Sequence, residues 1–169
     1  DITTWWTLTQ AANSVPGGIV ADLVDGAHIA SKVSILSANT TYVFSAKFKA
    51  GEENYVKLIL YDDDAYNTAT FDLTDGSVHS GQSNSDYTGV DDVDEDGYYR
   101  CWMVHTLGSV TSNNQILIQP AELPWDVNFA GDDVSVSIYV KEIQLEVLPS
   151  ANVIGPEIGR ASCRERLEL

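Results

Sequence analysis

Apolar and polar side chains alternate one for one along most of this chain, the period of a half-buried β-strand rather than of a helix. Over residues 41–49, Tyr42, Phe44, Ala46 and Phe48 share one side, with Val43, Ser45, Lys47 and Lys49 on the other. Ala50-Gly51-Glu52-Glu53-Asn54 then reads as a turn. Residues 55–61 set Val56, Leu58 and Leu60 against Tyr55, Lys57, Ile59 and Tyr61, and residues 68–73 group Ala69, Phe71 and Leu73 before the turn signal Asp75-Gly76. Further on, Tyr99, Cys101, Met103 and His105 alternate with Tyr98, Arg100, Trp102 and Val104, while Ile116 and Ile118 mark a shorter strand. In the last apolar stretch Val134, Val136, Ile138 and Val140 are even-numbered, whereas Ile143, Leu145 and Val147 are odd. Such a change of parity predicts a β-bulge or a strand that passes between two sheets.

No window of a dozen residues carries a helical stripe; residues 27–36 come nearest and are rich in β-branched side chains. Seven or more short strands broken by Gly, Asp and Asn predict an all-β fold, an antiparallel β-sandwich of the jelly-roll kind. No internal repeat, low-complexity segment or linker precedes residue 149, so residues 1–156 are expected to form a single domain. Residues 157–166, Glu-Ile-Gly-Arg-Ala-Ser-Cys-Arg-Glu-Arg, look like a translated short-read sequencing adapter, and Leu167-Glu168-Leu169 look like a cloning junction. On that expectation 157–169 is a non-native tail, and the gene comes from environmental DNA.

The chain has 169 residues, enough to bury roughly 70% of its unfolded surface in one core without staples. Its 25 acids and 9 bases give a net charge of −16. That balance argues against binding a phosphate backbone or an anionic membrane surface, so neither nucleic acid nor membrane is expected as a partner. No apolar run approaches the ~20 residues of a membrane span, and Asp1-Ile2-Thr3-Thr4-Trp5-Trp6 lacks the basic start and apolar stretch of a signal peptide. With Cys163 in the tail, Cys101 is the sole natural cysteine and reads as core, too little for a disulfide or a cysteine metal site.

Four segments in order carry a resemblance: Thr41-Tyr42-Val43-Phe44-Ser45-Ala46-Lys47-Phe48-Lys49-Ala50-Gly51, Phe71-Asp72-Leu73-Thr74-Asp75-Gly76-Ser77-Val78, Asp96-Gly97-Tyr98-Tyr99-Arg100-Cys101, and Ile138-Tyr139-Val140-Lys141-Glu142-Ile143-Gln144-Leu145-Glu146. Together, across residues 20–150, they resemble a β-sandwich domain of phage and prophage structural proteins. In outline that domain is similar to the jelly-roll carbohydrate-binding modules of polysaccharide-degrading enzymes. The resemblance implies a non-catalytic binding role, with a parent enzyme or a virion protein as its setting and an extracellular or virion-associated location. Trp102 departs from the resembled pattern, which places a small polar residue after the cysteine.

Sugars are bound by stacking pyranose faces on aromatic rings, with polar groups reading the hydroxyls around the rim. On the outward parity stand Tyr55, Tyr61, Trp102 and Tyr139 with Lys57, Arg100 and Lys141, and Trp125 stands in the Pro124-Trp125-Asp126 loop. If the strands are neighbours in one sheet, these residues make an aromatic and basic groove for a poly- or oligosaccharide. The competing explanation is that outward aromatics only stabilise cross-strand pairs. Five of the six natural bases, Lys47, Lys49, Lys57, Arg100 and Lys141, fall on outward positions. Such a strip would favour an acidic glycan, unless the lysines merely guard strand edges. Trp5 and Trp6 suit a plug over the sandwich end.

Asp91-Asp92-Val93-Asp94-Glu95-Asp96-Gly97 contains the first half of an EF-hand loop, but Met103 stands where the bidentate Glu is required. Two readings stand for Asp92, Asp94 and Asp96: a structural Ca2+ site, or a solvated acidic turn. Asp62-Asp63-Asp64 and Asp132-Asp133 pose the same question less sharply. The sequence shows no catalytic constellation: His28, His79 and His105 lack metal-ligand spacing and no nucleophile elbow occurs. The expectation is a non-catalytic glycan-binding domain needing no cofactor, and the alternative is a structural virion domain that mediates protein assembly.

Overall fold

The computed structural model describes residues 7–9, 17–33, 36–62, 65–79, 81, 83–108, 114–132 and 134–148. The expectations for Trp5-Trp6, for Asp63, Asp64 and Asp133, and for the tail with Cys163 lie outside the described residues. The described residues hold thirteen strands: β1 (Thr7–Thr9), β2 (Gly18–Val20), β3 (Gly26–Ala27), β4 (Ile29–Val33), β5 (Thr40–Ala50), β6 (Tyr55–Tyr61), β7 (Tyr66–Asp72), β8 (Ser77–Val78), β9 (Tyr87–Asp91), β10 (Tyr99–Leu107), β11 (Gln115–Ala121), β12 (Asn128–Phe129) and β13 (Val136–Leu148). A six-stranded sheet runs β1-β4-β11-β6-β7-β8, a five-stranded sheet runs β2-β13-β5-β10-β9, and β12 pairs with β3. Every pairing is antiparallel.

The two large sheets face each other through the side chains that alternation marks as inward. Phe44, Phe48, Cys101, Met103 and Ile138 come from the five-stranded sheet, and Val56, Leu58, Leu60, Ala69, Phe71 and Ile118 from the six-stranded one; all are fully buried in one core. Burying each of the larger apolar side chains contributes roughly 1.5–3 kcal/mol. The protein is thus an all-β sandwich. Ala27 and residues 29–33 are strand rather than helix, as β-branched Ile29 and Val33 favour.

Two local features decide where the outward residues go. The turn at 51–54 does not close a β5–β6 hairpin. Its amides belong to another strand: Gly51 N and Glu53 N donate to Ser137 O at 3.2 and 2.9 Å, and Glu52 N donates to Val136 O at 3.0 Å. The chain therefore crosses there from the five-stranded to the six-stranded sheet. Within β13 the register against β5 shifts between Lys141 and Gln144, with Glu142 at a φ of 51°. This is the bulge that the parity change predicts; it lets Ile138 and Val140 before it, and Leu145 after it, pack against the same core. Val134 lies outside the strand and is 79% exposed, so the even-numbered inward run begins later than its pattern suggests.

Candidate functional site

Crossing at 51–54 divides the expected groove. Tyr55, Lys57 and Tyr61 lie on β6 in the six-stranded sheet, whereas Arg100 and Trp102 on β10 and Tyr139 and Lys141 on β13 lie in the five-stranded sheet. Since the sheets pack through their inner faces, the two sets look outward in opposite directions, and one continuous groove is not formed. Alternation gives in or out correctly for these residues, but it carries no information on which sheet a strand joins.

On the five-stranded sheet, Trp102 pairs with Ser45 of β5 on one side and Gly89 of β9 on the other. The six-membered ring of its indole occupies the space beside Gly89, where an added Cβ would stand 2.2 Å from Cζ2 and 2.6 Å from Cε2. No side chain fits under the ring as it lies. Trp102 is partly exposed while its Nε1 is buried, so the indole surface it presents to solvent is carbon. Tyr87, two residues before Gly89 on the same face, is 48% exposed. Beside this aromatic pair the Arg100 guanidinium donates to Glu142 Oε2 at 2.5 Å, Gln144 Oε1 at 3.2 Å and Ser45 Oγ at 3.4 Å. The bulge puts Glu142 and Gln144 within reach of it.

Lys47 and Lys141 on this face are paired with carboxylates, and Lys49 donates to the Asp96 backbone oxygen at 3.4 Å. Lys47 lies 3.3 Å from Asp94 and 3.1 Å from Glu142, and Lys141 lies 3.5 Å from Asp94 and 3.1 Å from Asp96. Lys49 and Lys141 stand over the Tyr98 ring at 5.3 and 3.9 Å, and Lys49 also stands 5.3 Å from the Tyr139 ring. Residues 92–98 thus form a strap laid on the sheet and clasped by lysines. The expected strip of bases is divided: Lys47, Arg100 and Lys141 are paired with carboxylates, Lys49 lies against tyrosine rings, and Lys57 stands on the other sheet.

The strap also shows what the expected calcium ligands contact within the protein. Asp94 Oδ1 accepts from the backbone amides of Asp96 and Tyr98 at 3.1 and 2.9 Å, which closes the turn, and its Oδ2 faces the lysines. These bonds, led by the Tyr98 amide, hold its carboxyl down at about 2. The Asp96 side chain serves Lys141, and Asp92 is exposed. Asp94 and Asp96 thus share Lys141, while Asp92 stands exposed beside them. Among the described residues no three His, Cys, Asp or Glu side chains are grouped to hold a metal. Asp62 caps the β6–β7 turn, accepting from Ala65 N at 2.8 Å, and Asp132 accepts from Val134 N and Ser135 N.

Compared with protein-family models and with curated proteins, the chain matches none. The reading of the site therefore rests on its geometry.

On the six-stranded sheet, Tyr61 is paired with Tyr66 of β7, and the rings stack with centroids 4.5 Å apart. Lys57 lies two positions from Tyr55 on the same face; burial lowers its amine pKa, opposed by the charge of Asp126. Tyr55 bonds Asp72, and its phenol pKa is raised by burial and then by that carboxylate. Trp125 is 63% exposed in a short loop closed by Leu123 and Asp126. Sequence reasoning passes over Tyr66, Tyr87, Glu142 and Gln144. Tyr66 was legible as the partner of Tyr61 across the Asp62–Ala65 turn, while Tyr87 hides in a short strand interrupted by Gly89.

Proposed function

We propose that this is a non-catalytic, jelly-roll-type carbohydrate-binding domain that takes neutral oligo- or polysaccharide on the outer face of its five-stranded sheet, over Trp102 and Tyr87. The observation that carries the reading is the indole laid across Gly89: a rigid carbon surface, on a sheet, next to an exposed tyrosine. Stacking of this kind suits the apolar face of a pyranose. Around it, Arg100, Glu142 and Gln144 form a fixed polar rim whose remaining donors and acceptors suit hydroxyl groups. Lys141 stands in one row with Lys47 and Arg100 and holds the strap, and Tyr139 is paired with Lys49 further along the same face. Because Lys47, Arg100 and Lys141 are paired with carboxylates, the reading favours a neutral glycan over a uronate or a sulfated one. Stacking needs no cofactor, and calcium is not required. The setting that fits is a module beside a glycan-degrading enzyme or a phage adhesin, extracellular or on the virion.

A glycan array with the whole chain tests this. Neutral glycans are expected among the hits, with binding weakened by about tenfold in Tyr87→Ala, corresponding to ~1.4 kcal/mol of lost stacking, at an unchanged melting temperature. No hits, or hits indifferent to Tyr87 and Trp102, refute it. A second reading, a structural virion domain, is favoured by Leu23, Val24 and Val134, which are 67%, 57% and 79% exposed on loops joined by the Gly131 N to Asp22 O bond. Gel filtration giving an obligate oligomer in which these three side chains are protected selects it.

A further inference from the structure

We infer that the opposite face, on the six-stranded sheet, is a second and independent glycan site, which makes the domain bivalent; this rests on the carbohydrate reading above. The Tyr61–Tyr66 stack is the starting observation. Its rings are inclined at 29° and Tyr66 is 58% exposed, so a large aromatic face is held out to solvent by a neighbour rather than folded down. A ring already oriented by its partner loses little freedom when a sugar stacks on it. The stack closes one end of a row along β6. Tyr55, Lys57, Ile59 and Tyr61 stand at alternate positions, and Tyr55 lies about 20 Å from Tyr61 at the strand rise per residue. Between the terminal tyrosines, Ile59 and its cross-strand neighbour Leu117 are 4% and 6% exposed, and Thr70 and Gln119 beside Lys57 are likewise buried, so the middle of the row is covered and the Tyr61–Tyr66 end is its open aromatic face. The exposed stack is the platform on which a sugar ring of a longer chain can lie.

Charge narrows the ligand. Lys57 is the cation of this row and is half-buried, and Tyr55 bonds Asp72. On a chain of net charge −16, a face whose described cation is a single half-buried lysine suits an uncharged polysaccharide and repels a polyanion. Trp125, beside Asp126, stands at the Lys57 side of the row as a further exposed ring. The two sites lie back to back across the core, too far apart around the edge of the sandwich for one short oligosaccharide to occupy both. Bivalency therefore links separate chains, and its functional result is cross-linking of a polysaccharide.

The experiment uses the whole chain with cellohexaose, mannohexaose and xylohexaose as probes in calorimetric titration, and with the corresponding soluble polysaccharides in a turbidity assay. Two sites per chain are expected for at least one hexasaccharide. Tyr66→Ala and Tyr87→Ala are each expected to leave one site and to abolish turbidity, with Tyr66→Phe restoring both. Circular dichroism and melting curves of the variants control for folding. One site per chain, removed by Tyr87→Ala and untouched by Tyr66→Ala, overturns the second site and leaves the first reading standing. Absence of binding to all three probes and to the glycan array overturns both.

Discussion

Replacing Gly89 by alanine tests the aromatic centre of the five-stranded sheet most directly. The φ of Gly89 is not positive, so alanine fits the backbone, and in open space the change stabilises by about 0.4–1 kcal/mol through the unfolded chain. The space is not open. An added Cβ would stand 2.2 Å from Cζ2 of Trp102, well inside contact distance, so the indole or β9 must shift. Overpacking of this kind costs about 1–3 kcal/mol. Gly89→Ala is therefore expected to destabilise the wild type, yet to be neutral or stabilising in a Trp102→Ala background, giving a coupling of about 1.5 kcal/mol or more between the two positions. Urea unfolding of the four proteins in the cycle measures it. The upfield ring-current shift of the Gly89 Hα protons, expected in the wild type and lost in Trp102→Ala, reports the same contact independently. A coupling near zero, with Gly89→Ala as stable as its parent, would refute the placement of the indole and remove the main support for the proposed sugar platform.

Three further outcomes follow from the structure. Asp94→Asn is expected to loosen the 92–98 strap. Since the Asp94 carboxyl is held at about 2 in the folded protein, below its usual 3.8, its contribution is complete above the usual value and is lost as pH falls through about 2. The wild type should lose stability to acid across that window more steeply than the variant, which unfolding curves at stepped pH will show; parallel curves refute the clasp. Phe71→Ala, in the centre of the core, should cost about 3–5 kcal/mol in urea unfolding, much of a typical domain's stability, and a cost under ~1 kcal/mol would contradict the packing. Cys101 is buried and its thiol is pushed far up by desolvation, so peptide mapping after iodoacetamide treatment should find it unlabelled until denaturant is added.

Much of the fold was legible because alternation is a local signal. Phe44, Phe48, Leu58, Phe71 and Met103 could be assigned inward from their neighbours alone, and the parity change after Val140 located a bulge. Pairing is not local. Whether Ala50–Asn54 closes a hairpin or carries the chain to another sheet is decided by amides bound to residues 136 and 137, more than eighty positions away. That one crossing separates Tyr55 and Tyr61 from Trp102 and Tyr139, and with them the single groove. The bases were misjudged for a related reason: Lys47 and Lys141 read as outward and solvated, but their partners Asp94 and Asp96 belong to a turn whose position over the sheet follows from β9–β10 pairing. Trp102 was singled out by its residue type, while the glycine that gives it room was visible only once β9 and β10 lay side by side.

The place of β13 has a consequence for how the molecule comes into being. This last of the described strands lies between β2 and β5, in the interior of the five-stranded sheet, and ties residue 20 to residue 136 and residue 41 to residue 148. Until it emerges from the ribosome, both partners expose bare ladder edges and Phe44 and Phe48 lack part of their roof. A nascent polypeptide halted before residue 136 is then a sticky intermediate rather than a smaller version of the finished domain, and completion of the barrier to aggregation waits on the synthesis of β13.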